Sequence, residues 1–192
     1  MKLNLGSGPC KGVDGWTNLD QLDGADLCLD LSRGLPVNDD SVDLIYTSHF
    51  LEHLSYAEIC ATLRDCHRAL KPGGTISLCV PDAAKYIEAY VHNHFDQCQL
   101  SNGAWLQIPT FLIRSGEVIY DKALVPTGSR IDWLNYIAYS GGQHRYLFDA
   151  ENLVAHLKSA GFVSAAIRPF CATLDLPMRQ AESIYAEAFK PI

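Results

Sequence analysis

An α/β fold built on a mostly parallel sheet is predicted by three observations. Short, continuously apolar runs alternate with helical patterns through the first half of the chain. Two of these runs close on an aspartate, Asp20 and Asp30, and the first closes on Gly6-Ser7-Gly8. Hydrophobic residues make up 48% of the 192 positions and charged residues 19%, which is enough apolar material for one packed core and excludes disorder as the main state. Parallel strands buried on both faces read as continuous rather than alternating apolar runs.

The strands follow in order. Leu3 to Leu5 is the first, Trp16 to Asp20 the second, Ala25 to Leu29 the third, Val42 to Ser48 the fourth and Thr75 to Val80 the fifth. Between the last two, Ser55 and Glu58 form a capping-box signal that opens a helix from about Tyr56 to Leu70. Ile59, Leu63, Cys66 and Leu70 share one face of it, and Lys71-Pro72-Gly73-Gly74 stops it. A second helix is expected after Asp82, carrying Ile87, Tyr90, Val91 and His94 inward. A third is expected from about Ala150 to Ser159, capped by Asp149, striped by Leu153 and Leu157, and ended by Gly161. Phe162 to Phe170 reads as a sixth strand and Ser183 to Phe189 as a seventh. No helix pattern joins these two, so an antiparallel pairing near one edge is expected.

Residues 97–143 break the alternation. Trp105, Phe111, Tyr120, Trp133, Tyr136 and Tyr139 fall there among several glycines, with a short helix expected from Ile131 to Ala138. The chain therefore reads as one domain, 1–192, with 97–143 as an insertion or lid over one end of the sheet. The insertion could equally be a contact between two copies, so a homodimer stays open.

Fifteen Lys plus Arg against 22 Asp plus Glu give a net charge of −7, a poor match for a polynucleotide backbone. No run of about 18 apolar residues suggests a membrane span. Glycines follow the first short strand at once, leaving no room for a signal peptide. The seven cysteines are scattered without a C-x-x-C, so reduced thiols in a cytoplasmic protein are expected.

Ligands of open α/β sheets bind at the carboxyl ends of the strands, where strand order reverses. There Gly6-Ser7-Gly8 allows close approach to backbone. Asp20 can accept two hydrogen bonds from a ribose diol, Asp30 and Leu31 can meet an adenine amino group and ring face, and Ser48-His49-Phe50 closes the other side. A dinucleotide is a poor fit. The third position of the usual glycine fingerprint is Lys11, and Asp20 comes only twelve residues after Gly8, too soon for a full crossover helix. An adenosyl ligand without phosphate, such as S-adenosylmethionine, does not need that helix.

In order along the chain, Leu3-Asn4-Leu5-Gly6-Ser7-Gly8, Trp16-Thr17-Asn18-Leu19-Asp20, Asp30-Leu31 with Leu35-Pro36, Ser41 to Tyr46, Leu51-Glu52-His53-Leu54, Arg68 to Gly74 and Leu157 to Phe162 resemble class I S-adenosylmethionine-dependent methyltransferases, specifically the small type-11-like group. The resemblance covers roughly residues 1–90 and 144–192. It implies a Rossmann-like methyltransferase fold with a seven-stranded sheet and an antiparallel last strand. It also implies cofactor contacts from Gly6, Ser7 and Gly8 to the methionine part, Asp20 to the ribose, Asp30 and Leu31 to the adenine, and Ser48 with His49 beside the sulfonium. The chain departs from the family's pattern at Asn4, where an acid is usual, and in its short first crossover.

Methyl transfer needs a base only if the acceptor must lose a proton. His49 and His144 are the candidate catalytic residues, and His53 reads as structural. Arg114, Lys122, Arg130 and Arg145 could line an anionic acceptor's pocket or simply face solvent. His92-x-His94 with Asp96 and Cys98 lacks metal-ligand spacing on a helix, so no metal is expected. The expected function is methyl transfer from S-adenosylmethionine to a small-molecule acceptor such as a sugar, nucleotide-sugar or other metabolite, with no nucleic acid and no membrane as partner. A non-catalytic S-adenosylmethionine-binding module and a nicotinamide-dependent oxidoreductase remain as alternatives.

Overall fold

The computed structural model describes residues 1–8, 15–99, 105–114, 117–118 and 127–192. Strands β1 (Lys2–Leu5), β2 (Trp16–Asp20), β3 (Leu27–Cys28), β4 (Val42–Ser48) and β5 (Leu70–Pro81) form the parallel part of one sheet. The connection between β1 and β2, with Pro9 and Cys10, lies outside the described residues. The third strand is shorter than expected: only Leu27 and Cys28 pair, both exposed at the sheet edge.

Helix α1 (Tyr56–Ala69) begins with the expected reciprocal cap between Ser55 and Glu58. Its buried stripe, Ile59, Leu63 and Cys66, packs on the sheet beneath Leu3, Leu5 and Ile45. The stop after it is built into the start of β5. Pairing with β4 jumps from Val42–Leu70 to Leu44–Thr75, and the bulge between holds Gly74, where a Cβ would lie 2.8 Å from the Lys71 carbonyl.

Helix α2 (Ala83–His92) starts after Asp82, whose side chain accepts from the Ala84 N–H. Its inward face differs from the expected one. Ala83, Tyr86 and Ala89 are buried, whereas Ile87, Tyr90, Val91 and His94 are exposed. The small alanines let the helix approach α3 closely, and that contact sets the face. A hairpin of β6 (Phe95–Gln99) and β7 (Trp105–Pro109) follows, then the short pair β8 (Ile113–Arg114) and β9 (Glu117–Val118), then α3 (Ile131–Tyr139). These elements carry a second apolar cluster of their own, with Tyr86, Ile108, Leu112, Trp133 and Ile137 at its centre. The Trp133 indole N–H donates to the Gln107 carbonyl at 2.9 Å, satisfying the one polar atom that burial would otherwise orphan. The chain leaves the main sheet and returns to it at one place: Asp82 bridges to Phe148, and the Ala83 N–H donates to the Phe148 carbonyl at 2.9 Å.

Helix α4 (Ala150–Ser159) is capped by Asp149, buries Leu153 and Leu157, and gives way at Gly161, as expected. Strand β10 (Val163–Ile167) is the outer edge. Strand β11 (Ser183–Phe189) lies between β10 and β5, antiparallel to both. The sheet order is β10-β11-β5-β4-β1-β2-β3, so the order reverses beside β1 and β4.

The sixth strand ends sooner than the apolar pattern suggested, because Arg168 turns inward. Its guanidinium makes two bonds of 2.6 and 2.7 Å to the Asp175 carboxylate and a third of 2.9 Å to the Ser77 hydroxyl. Asp175 also accepts from the Tyr46 hydroxyl at 3.1 Å and the Cys171 N–H at 2.7 Å. This hub folds the irregular connection 168–182 back over the carboxyl end of the sheet.

Candidate active site

At the carboxyl ends of β1, β2 and β4 lies a cavity of about 650 Å³, within the size of small-ligand sites. One wall is the glycine turn. Gly6 adopts φ +65°, and a Cβ there would lie 2.5 Å from Cβ and Cγ of Phe50, itself part of the wall. Gly6→Ala is therefore expected to destabilise the protein by about 2 kcal/mol or more, through backbone strain and the forced shift of Phe50. A melting curve within 1 °C of the parent would show that the turn is slack.

Asp20 at the end of β2 is the link between glycine turn and cavity. One carboxylate oxygen accepts the Gly8 N–H at 2.7 Å and the other the Leu22 N–H at 2.9 Å. Each oxygen keeps a lone pair, and the side chain lines the cavity. Asp30 lines it too, but it spends one oxygen on the Ser32 N–H and hydroxyl, at 3.0 and 2.6 Å, capping the turn Leu31–Arg33. Those hydrogen bonds hold its pKa below the ordinary carboxylate value. Leu29 and Leu31 supply an apolar slab beside it.

The opposite wall comes from the segment after β4. His49 sits in the left-handed region at φ +51°, pinned by its N–H to the Cys79 carbonyl at 2.9 Å. Its ring Nε2 is 2.7 Å from the Ser183 hydroxyl on β11. Burial first, and the nearby Arg179 charge second, hold its pKa well below the ordinary histidine value, so the ring is neutral at pH 7. Two residues on, the turn Leu51–His53 drives Glu52 into the interior. Its side chain is 2% exposed, and among the described residues neither carboxylate oxygen has a hydrogen-bond partner. Burial pushes its pKa up to about 8. The Glu52 carbonyl accepts the N–H groups of Arg145 and Tyr146 at 2.8 and 3.2 Å. That docking brings His144 against His53, with ring centroids 5.2 Å apart.

Of the residues singled out in the sequence, Gly6, Gly8, Asp20, Asp30, Leu31 and His49 meet on the cavity wall; Ser7, Ser48 and His144 are not among the lining residues. Ser48 is taken up by Arg179, which donates to its carbonyl and, at 3.0 Å, to its hydroxyl. His144 is buried, with Nδ1 2.8 Å from the Ile137 carbonyl. Of the four basic candidates, Arg145 lines the cavity while also bonding Glu58 at 2.8 Å. Arg130 instead bonds Asn93. Lys122 and the Arg114 side chain lie outside the described residues. Arg179 and Gln143 line the cavity without having been foreseen. Arg179 follows Pro177 in a short turn of the 168–182 connection, which carries no periodic signal.

Residues 6–78 match the methyltransferase domain family. The search of curated proteins found no match. Many solved structures share the fold. An S-adenosylmethionine-dependent methyltransferase from Mesorhizobium loti is 19% identical, with 98% of this chain and 90% of that one covered and a TM-score of 0.54. One from Archaeoglobus fulgidus is 16% identical, with 98% and 85% covered and a TM-score of 0.57. The 1,6-didemethyltoxoflavin-N1-methyltransferase of Burkholderia thailandensis, solved with its substrate and S-adenosylhomocysteine, is 13% identical, with 100% and 71% covered and a TM-score of 0.54. The matched stretch holds the glycine turn, both strand-end acids and His49, and the sheet order around it is that of the fold. Over that stretch the chain is thus similar to the methyltransferase domain family, and it shares the fold of these S-adenosylmethionine-dependent methyltransferases.

Proposed function

We propose that the chain transfers a methyl group to a small-molecule acceptor, a sugar, nucleotide-sugar or other metabolite, and that Gly6, Ser7, Gly8, Asp20, Asp30, Leu31, Ser48 and His49 form or support its cofactor site. The observation that carries this reading is Asp20. It is fixed by two backbone N–H groups, faces the cavity, and keeps acceptor capacity on both oxygens for a ribose diol. The apolar slab of Leu29 and Leu31 suits an adenine face. The turn at Gly6, open only because no side chain stands there, suits close backbone approach. These residues fit S-adenosylmethionine, which when bound supplies a methyl group already activated on a sulfonium.

The chain's own residues then bind, align and shield. Gln143, Arg145 and Arg179 give the far wall polar and positive groups for an acceptor rich in hydroxyl or acidic groups. The Burkholderia relative, with a small heterocycle as its substrate, supports an acceptor of that size. His49 presents a neutral ring on the wall, held by Ser183, and can take a proton from an acceptor that must lose one. His144 acts from behind His53 as a positioning residue. Residues 97–143 serve as the lid: part of the second apolar cluster lies there, and Gln143 stands at its end on the cavity wall. No described helix is long and apolar enough to cross a membrane, and the six described cysteines are free thiols. Both support work in the cytoplasm.

Titration by calorimetry and thermal shift tests this. S-adenosylmethionine and S-adenosylhomocysteine are expected to stabilise the protein by about 2.7 kcal/mol at 100 times the dissociation constant, and NAD is expected to do nothing. Asp20→Ala should weaken cofactor binding by about 1–3 kcal/mol. An unchanged affinity in a folded variant would take Asp20 out of the site.

A further inference from the structure

We propose that Glu52, His53 and His144 form a binding site for a divalent transition-metal ion beside the cavity. One candidate donor atom from each of the three lies within 4.8 Å of the others. Sequence spacing conceals the group, because His144 is brought in only by the docking of Arg145 and Tyr146 on the Glu52 carbonyl.

Three independent features mark it as more than a chance cluster. First, the Glu52 carboxylate is buried and neither oxygen has a hydrogen-bond partner among the described residues, which is costly unless something positive completes it. Second, both histidines are oriented from behind through the same ring nitrogen. Nδ1 of His53 is 3.1 Å from the Gln143 carbonyl, and Nδ1 of His144 is 2.8 Å from the Ile137 carbonyl. A backbone carbonyl only accepts, so each Nδ1 carries the proton and each Nε2 presents its lone pair. A carbonyl-anchored imidazole is the usual outer shell of a metal-ligating histidine. Third, the spacing is within reach. Nε2 of His53 is already 3.8 Å from Oε1 of Glu52. Bonds of 2.0–2.2 Å to a tetrahedral ion require donors about 3.4 Å apart. Donors within 4.8 Å of one another need approach by at most about 1.4 Å to reach that spacing.

Two imidazoles and one carboxylate suit zinc, cobalt or another first-row divalent ion rather than magnesium or calcium, which take oxygen ligands. Three protein ligands leave a position free, as in catalytic rather than structural sites. His53 and Gln143 also line the cavity, so an exogenous oxygen ligand can approach from that side. The proposal concerns metal binding alone and stands whether or not the acceptor reading does.

Cobalt(II) titration of the chelator-stripped full chain tests it. One equivalent is expected to give the visible absorption of four- or five-coordinate cobalt, to be displaced by zinc, and zinc is expected to raise the melting temperature. His53→Gln, at a half-exposed position that should tolerate change, and His144→Ala should each weaken cobalt binding at least a hundredfold. His92→Ala, at the exposed His92–His94 pair, should leave it unaltered. No visible band in the parent protein would overturn the proposal. So would equal binding by His53→Gln, or loss on His92→Ala, since either would place the ion elsewhere. A sulfur-to-metal charge-transfer band would likewise assign it to cysteine.

Discussion

Replacing Asp175 by alanine is expected to destabilise the fold by roughly 3–5 kcal/mol, because it strands the charge of a buried guanidinium. The Asp175 side chain is 0% exposed and that of Arg168 13%. Both terminal guanidinium nitrogens, the Tyr46 hydroxyl and the Cys171 N–H converge on the one carboxylate. For a chain of this length the loss corresponds to a fall of roughly 10 °C in melting temperature. Urea unfolding at pH 7 measures it. A change below about 1 kcal/mol would mean that the 168–182 connection is held by something other than this hub. The variant should also loosen Arg179, four residues on, and so weaken the wall that His49 and Ser48 share with it.

The second large effect is a slope rather than an offset. In the metal-free protein, stability is expected to fall as pH rises from about 4.5 to about 8, and Glu52→Gln is expected to flatten that fall. The sign follows from the two states. In the unfolded chain Glu52 ionises near 4.5; in the folded protein burial pushes it up to about 8. Between those values the unfolded state releases a proton that the folded state retains. The contribution is thus present in full below 4.5 and lost as pH rises through 8. It amounts to on the order of a few kcal/mol. The groups facing the carboxyl include His49, His53, Arg179 and Glu182. Burial holds His49, His144 and His156 below the ordinary histidine value, so they act in the opposite sense, losing stability as pH falls below about 6.5. Their share is common to parent and variant, and the difference between the two curves isolates Glu52. Thermal unfolding in chelator at pH 5, 6.5 and 8 reads it. Parallel curves would show that Glu52 ionises normally in the folded state.

Elements whose signals are local were legible in the sequence. The Ser55–Glu58 and Asp149 caps, the helix stop at Lys71-Pro72-Gly73-Gly74 and the continuous apolar runs of β1, β4 and β5 each depend on neighbours a few residues away. The inward face of α2 was not legible, because it is chosen by α3. The large side chains Ile87, Tyr90 and Val91 suggested one side, while Ala83 and Ala89 allow close packing on another. The site divides the same way. Gly6, Gly8, Asp20 and His49 stand at strand ends, where topology alone places them. Arg179 reaches the cavity through a hub joining Tyr46, Arg168 and Asp175, and Glu52 meets His144 through a contact 92 positions away in numbering. Glutamate is among the residues least often fully buried, so nothing in Leu51-Glu52-His53-Leu54 announced an interior carboxyl.

The pairing of Asp82 with Phe148 also has a consequence for how such a chain can change over generations. Everything from α2 to the strand-side return at Phe148 departs and rejoins within one hydrogen bond's reach. A loop pinned at adjacent points can lengthen at small cost, about 0.6 kcal/mol for each doubling. It can also be exchanged without altering the register of the sheet. Gln143 travels with that exchangeable cassette, whereas Gly6, Asp20, Asp30 and His49 stay outside it. One end of the cavity can therefore diverge while the other is inherited intact.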